Sequence, residues 1–260
     1  MQGGFEEGES DLDDIFIGVK ELSGKSLKEK WEGKVSADEF YKNSIFYLFD
    51  MLKNITEADP SKNSLGPFYD YIPNLDFLLC TDMGPEQADF IISSKSKLVF
   101  VHIKCGKTKK PESSAGALFE VGSQALKNME HMISLNKQLK ASNSGYMVKS
   151  WPSGNAKNRL NERVRLLNGK RFINVENNPE LRKKAYEDAW DVVIERRSSP
   201  RVEKEIWVVA GNSFSKSDFF TQLNLGNKGR ATSLQAYQLI QSWNATASSE
   251  DIGIKFFVSK

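Results

Sequence analysis

An aspartate opens one apolar run and a lysine closes the next. Asp89 precedes Phe90-Ile91-Ile92, and Leu98-Val99-Phe100-Val101 leads into His102-Ile103-Lys104. Glu120 and Gln124 follow, four positions apart and so on one face of any helix that holds them. Asp82 and Glu86 lie just upstream of Asp89. These residue types suit phosphodiester hydrolysis. That reaction needs a cation that acidifies a bound water and neutralises charge on the phosphorus centre. Magnesium takes hard oxygen ligands, mostly carboxylates and water. A nearby ammonium can orient the water or stabilise the transition-state charge. If the two apolar runs pair antiparallel, Asp89 and Lys104 come to the same end of the sheet. His102 and Lys104, two apart, then share a face.

The flanking sequence predicts the elements that would hold these groups. Ala88–Ser93 and Leu98–Lys104 are joined by the polar link Ser94-Lys95-Ser96-Lys97, which reads as a hairpin. A short strand is expected to begin near Leu75, with Thr81–Pro85 as a turn. Ser36-Ala37-Asp38-Glu39 has capping-box spacing and predicts a helix running through Phe40, Phe46 and Leu52. A long helix is expected over 117–139 and another over 179–197. Then come a strand from Glu205 to Ala210 ending at Gly211-Asn212, helices over 215–225 and 233–243, and a closing strand over 252–258. The expected fold class is α/β, a central mixed sheet with an antiparallel hairpin, flanked by helices. Residues 1–30 are expected to be an acidic tail or linker, since 1–14 carry six acids and no base, and 31–260 a single domain.

The chain has 260 residues and a net charge of +2, but its bases are clustered. Lys95, Lys97, Lys104, Lys107, Lys109 and Lys110 share a stretch without acids. Between Lys137 and Arg171, nine bases face only Glu162. Such clustering points to a polyanion-facing surface. Lys107, Lys109 and Lys110, directly after Lys104, are the expected phosphate contacts. No apolar run approaches the length of a membrane span, so no membrane partner is expected. The only cysteines, Cys80 and Cys105, fit no structural zinc spacing and read as free thiols of a cytoplasmic protein. No glycine-rich phosphate loop occurs. Gly211-Asn212-Ser213 reads as a plain strand-to-helix turn. Trp151 beside Lys149 has two readings, base stacking or core.

From Phe40 to Met132 the chain resembles the PD-(D/E)XK nuclease superfamily. Asp89 matches the first acid, His102-Ile103-Lys104 stands at the (D/E)-x-K position, and Gln124 is similar to a glutamine common on the following helix. The Asp82-to-Ile92 opening, the His-x-Lys strand and the Gln-Ala helix look like nuclease-like domains attached to bacterial helicases and phage-defence systems. The resemblance implies a restriction-endonuclease-like fold and a metal-dependent nuclease, a DNA endonuclease using Mg or Mn, with RNA a further possible substrate. It implies Asp89, His102, Lys104, Glu120 and Gln124 as site residues, and a helicase or defence-system subunit as partner.

Histidine in the acid position is a departure from the family pattern. It leaves three readings open. Glu120 supplies the second carboxylate, so that Asp89 and Glu120 hold the metal. Or His102 is itself a ligand, for a softer metal than magnesium. Or the site is inactive and the domain binds nucleic acid or a helicase partner without cleaving. Each residue also has a plainer role: Asp89 as a strand-end turn acid, His102 as an ordinary sheet residue, Glu120 as a first-turn helix acid. Asp82 and Glu86 either shape the turn or join a metal shell. His131 reads as an ordinary helix residue.

Overall fold

The computed structural model describes residues 12–24, 26–30, 39–52, 66–82, 86–108, 110–134, 145, 148–149, 151, 160, 162–172 and 178–260. The strands are β1 (Phe16–Val19), β2 (Phe77–Cys80), β3 (Phe90–Ser93), β4 (Lys97–Cys105), β5 (Val164–Leu167), β6 (Lys170–Arg171), β7 (Glu203–Ser215) and β8 (Ile252–Ser259). They form one mixed eight-stranded sheet in the order β1-β8-β7-β4-β3-β2-β5-β6. β1 runs parallel to β8, while β2, β3 and β4 make an antiparallel meander and β5 pairs antiparallel with β2 and β6. The helices are α1 (Ile45–Asp50), α2 (Ala115–Asn128), α3 (Glu130–Ile133), α4 (Pro179–Ser198), α5 (Lys216–Asn224) and α6 (Ala231–Ser248). Among the described residues, no helix is long and apolar enough to cross a membrane.

The chain groups into two compact units, where the sequence predicted one domain. The first holds Met1–Leu27, His102–Lys127 and Ile206–Lys260; the second holds Lys28–Val101 and Asn128–Glu205. β4 and β7 contribute residues to both.

In the second unit the expected hairpin forms in register, with Phe90 opposite Val101 and Ser93 opposite Leu98. Both runs are buried throughout their apolar residues, as expected of strands covered on both faces. β2 adds a second hairpin, Cys80 opposite Phe90. The helix predicted from Phe40 begins later, at Ile45. Its cap is Ser44, whose hydroxyl accepts from the Tyr47 amide at 3.1 Å; Ser36 to Asp38 lie outside the described residues. α4 matches its prediction and is capped by the Asn178 side chain, with Pro179 at the first helical position.

In the first unit, the tail expected over 1–30 is corrected by β1, which pairs Phe16 with Phe256 and Val19 with Ser259. Phe16 is buried against Phe214, Phe219 and Phe256, with ring centroids 5.1 to 5.7 Å apart. A four-residue strand has too little sequence to show its pairing locally, and the acidic residues before it masked the apolar ones. β7 also runs past its expected end at Gly211-Asn212. Asn212 adopts a left-handed φ of 50° there. Its side-chain amide accepts from the Gly24 amide at 3.1 Å and donates to the Gly24 carbonyl at 2.6 Å. Those bonds make the strand continue where glycine and asparagine would otherwise turn it.

α2 and α6 show the apolar spacing that the sequence predicted. Leu118, Val121 and Ala125 are buried on α2, and Ala236, Ile240, Trp243 and Ala247 on α6. α2 stops at Asn128, with α3 as a separate turn, so the predicted single helix is broken at Met129; residues 135–139 lie outside those described. The two helices touch at Gly122, where a methyl group would overlap the Trp243 indole. Gly122→Ala is therefore expected to lower stability by about 1–3 kcal/mol through overpacking, despite its better helix propensity. A urea titration with an unchanged or raised midpoint would contradict this contact.

Candidate functional site

A group of chemistry-bearing side chains lies in the second unit, in the connection that leads from β2 to β3. The Thr81 amide donates to the Asp89 carbonyl at 2.9 Å, and the Thr81 hydroxyl donates to the Ala88 carbonyl at 2.6 Å. The Asp89 amide donates to the Val101 carbonyl at 2.9 Å. These bonds close the connection between the strands and bring Asp82 alongside Asp89. Glu86 lies between them, its carbonyl accepting from the Asn128 side chain at 3.1 Å. One carboxylate oxygen from each of Asp82, Glu86 and Asp89 lies within 4.8 Å of the others. Asp89 is buried, while Asp82 and Glu86 are half-buried. Asp82 and Glu86, given two roles by the sequence, thus stand with Asp89 as one donor group.

Three residues from distant segments hold this group. Lys30 Nζ lies 2.8 Å from Asp82 Oδ1 and 3.7 Å from Asp89 Oδ1. Trp151 Nε1 donates to Asp82 Oδ2 at 2.7 Å. Arg163 donates from Nη1 to the Asp82 carbonyl at 2.7 Å and from Nε to the Lys149 carbonyl at 3.0 Å. Burial works against the Lys30 charge, but the Asp89 and Asp82 carboxylates outweigh it and hold its pKa above the ordinary lysine value. Lys30 is therefore an ammonium at any physiological pH, a hydrogen-bond donor and counter-charge rather than a general acid or base. One ammonium beside three carboxylates leaves a partly buried group of oxygen donors with excess negative charge. That donor set fits a hard divalent cation such as magnesium or manganese.

His102, Lys104, Glu120 and Gln124 belong to the first unit. His102 is fully buried, and neither ring nitrogen has a hydrogen-bond partner among the described residues. Burial pushes its pKa down to about 3, so it is neutral at physiological pH. Lys104 Nζ pairs with Glu120 Oε1 at 2.7 Å, with the carboxylate largely exposed. Gln124 is half-buried one turn further along α2. Of the expected metal set of Asp89, Glu120 and His102, Asp89 is the member that stands in a group of such ligands among the described residues. Among the described residues, the one group of three or more such ligands is Asp82, Glu86 and Asp89. Lys107 and Lys110 are exposed, and Lys109 lies outside the described residues.

Part of the expected basic surface is interior. Arg165 is 1% exposed and makes a bidentate pair with Asp50 at 2.7 and 2.9 Å. Arg171 adds a third contact to Asp50 at 2.8 Å. Arg163 is 3% exposed. These guanidiniums answer buried acceptors rather than solvent phosphate. Trp151 is buried as well, so its base-stacking reading falls and its indole N–H serves Asp82 instead. Sequence reasoning missed Lys30, which sits in the stretch read as a tail, and Arg163, read as surface. Nothing in their local sequence marks either as a partner of Asp82. No protein-family model, curated protein or solved structure matches this chain.

Proposed function

We propose that the chain is a divalent-cation-dependent nuclease acting on DNA, with Asp82, Glu86 and Asp89 as its cation ligands. The observation that carries this reading is the carboxylate group at the end of the β2–β3–β4 meander, where Asp89 opens the strand. The meander followed by a helix also supports the likeness to restriction-endonuclease-like domains. A magnesium or manganese ion bound there supplies an acidified water and neutralises phosphate charge. Trp151 and Lys30 each bond one oxygen of Asp82 and so fix the orientation of that carboxylate. Lys30 takes the role expected of Lys104. Its ammonium sits against the ligands and is placed to offset negative charge on a bound phosphate.

A second reading, a nucleic-acid-binding module without cleavage, draws on two observations. Lys30 already neutralises part of the carboxylate group, and the histidine in the family's acid position is buried in the core. Cleavage of supercoiled plasmid, single-stranded DNA and RNA with magnesium, manganese or chelator separates the readings. The nuclease reading expects nicking or linearisation with either metal and none in chelator. Cleavage that persists in chelator, or none in either metal while DNA remains bound, would overturn it.

A further inference from the structure

We propose that the exposed side of α2 and the loop before it form a stacking platform for single-stranded nucleic acid, with Phe119 against a base and Lys107 and Lys110 against the backbone. This rests on the reading of the chain as a protein that acts on nucleic acid, but not on the metal site. Phe119 is 56% exposed, the most exposed of the large apolar side chains among the described residues and the aromatic one of that set. It lies opposite the buried stripe of Leu118, Val121 and Ala125. Helical side chains lean toward the N-terminal turn. In that direction from Phe119 lies Gly116, which is exposed and whose missing side chain faces open space. No bulky neighbour on that turn covers the ring.

The surrounding charge selects the partner. The loop from Gly106 leads straight into α2 and is fixed at its far end. There the Ser113 amide and hydroxyl donate to Asp218 Oδ2 at 2.6 and 2.7 Å, and Arg230 binds the same carboxylate. Two acids face solvent here, and each is already paired: Glu112 with Arg230 at 3.1 Å and Glu120 with Lys104 at 2.7 Å. Lys107 and Lys110 are exposed and make no ion pair among the described residues. An exposed ring on α2, preceded by a loop that carries exposed ammonium groups, fits a flexible polyanion that presents flat faces. A duplex keeps its bases stacked and offers phosphate and groove edges but no free base face, whereas a single strand offers both phosphate and base faces.

Fluorescence anisotropy tests this, using labelled oligothymidylate and a duplex of equal length in chelator, so that no cleavage intervenes. Phe119→Ala is expected to weaken single-strand binding about tenfold, with the salt slope unchanged and duplex binding nearly so. Lys107→Gln with Lys110→Gln is expected to flatten the salt slope on both substrates by about one to two units. Because Phe119 is exposed, its truncation should leave the melting temperature near wild type, and that measurement accompanies the titration. Wild-type affinity of Phe119→Ala for single strands, an equal loss on duplex, or no binding to either substrate would overturn the proposal. Absence of cleavage with single-strand binding intact would instead refute the catalytic reading and leave this one standing.

Discussion

Asp89→Asn should slow metal-dependent cleavage by at least about 100-fold while the protein remains folded. Changes one shell beyond a metal commonly cost 10–100-fold, so loss of a ligand charge should cost no less. The fold should survive because main-chain hydrogen bonds, with Thr81 and Val101, hold residue 89 in place whatever its side chain. Asparagine matches aspartate in shape and keeps one carbonyl oxygen. Asp82→Asn should behave similarly, with a further loss of order because Lys30 and Trp151 both bind that carboxylate. Manganese binding followed by paramagnetic resonance should weaken in parallel with cleavage. Asp89→Asn that cleaves within twofold of wild type in magnesium would remove these carboxylates from the chemistry. Lys104→Ala, by contrast, should have a small effect on stability, because an exposed ion pair contributes about 0–1 kcal/mol.

The histidine gives the second large effect, and it is one of stability. The His102 pKa falls from an ordinary value near 6.5 to about 3 because the ring is fully buried. The unfolded chain therefore takes up a proton near pH 6.5 that the folded chain refuses until about pH 3. Stability is full above that window and falls as pH drops through it, by up to about 5 kcal/mol from this residue alone. His102→Leu removes both the titrating group and two unsatisfied buried nitrogens. It should be neutral or stabilising at pH 7 and should lose less stability than wild type between pH 7 and pH 4. His102→Glu should instead cost at least about 3 kcal/mol by burying an unpaired carboxyl. Urea midpoints of the three proteins across that range provide the check. Parallel acid slopes for wild type and His102→Leu, or wild-type stability for His102→Glu, would show that the ring is not buried in this way.

The meander and the helices were legible because each is specified locally. Phe90–Ile92 and Leu98–Val101 are apolar runs separated by a short polar link, and such a pair has few ways to bury itself except as a hairpin. The stripes of α2, α4 and α6 follow helical periodicity and needed no tertiary information. Asp89 could be placed because it sits at a strand end whose partner is adjacent in sequence. Asp82 and Glu86 were legible as neighbours for the same reason, although whether they turn inward or shape the loop was not. The sequence by itself thus determined the α/β class, the hairpin and the location of one carboxylate.

Tertiary structure decided the rest, through contacts between residues far apart in the chain. Lys30, Trp151 and Arg163 converge on Asp82 from segments whose local patterns say tail, stacking residue and surface base. β1 exists because β8 offers it an edge, not because four residues prefer to be a strand. Asn212 holds β7 through a glycine position by bonding to Gly24, a partner that nothing near Asn212 reveals. His102 alternates with Lys104 along the same strand, and the alternation fixes their shared face. What lies over that face depends on packing from elsewhere, and the packing left one residue a neutral core ring and the other an exposed ammonium paired with Glu120. Periodicity reports which face a residue takes; burial and charge pairing depend on what the remainder of the chain brings to that face.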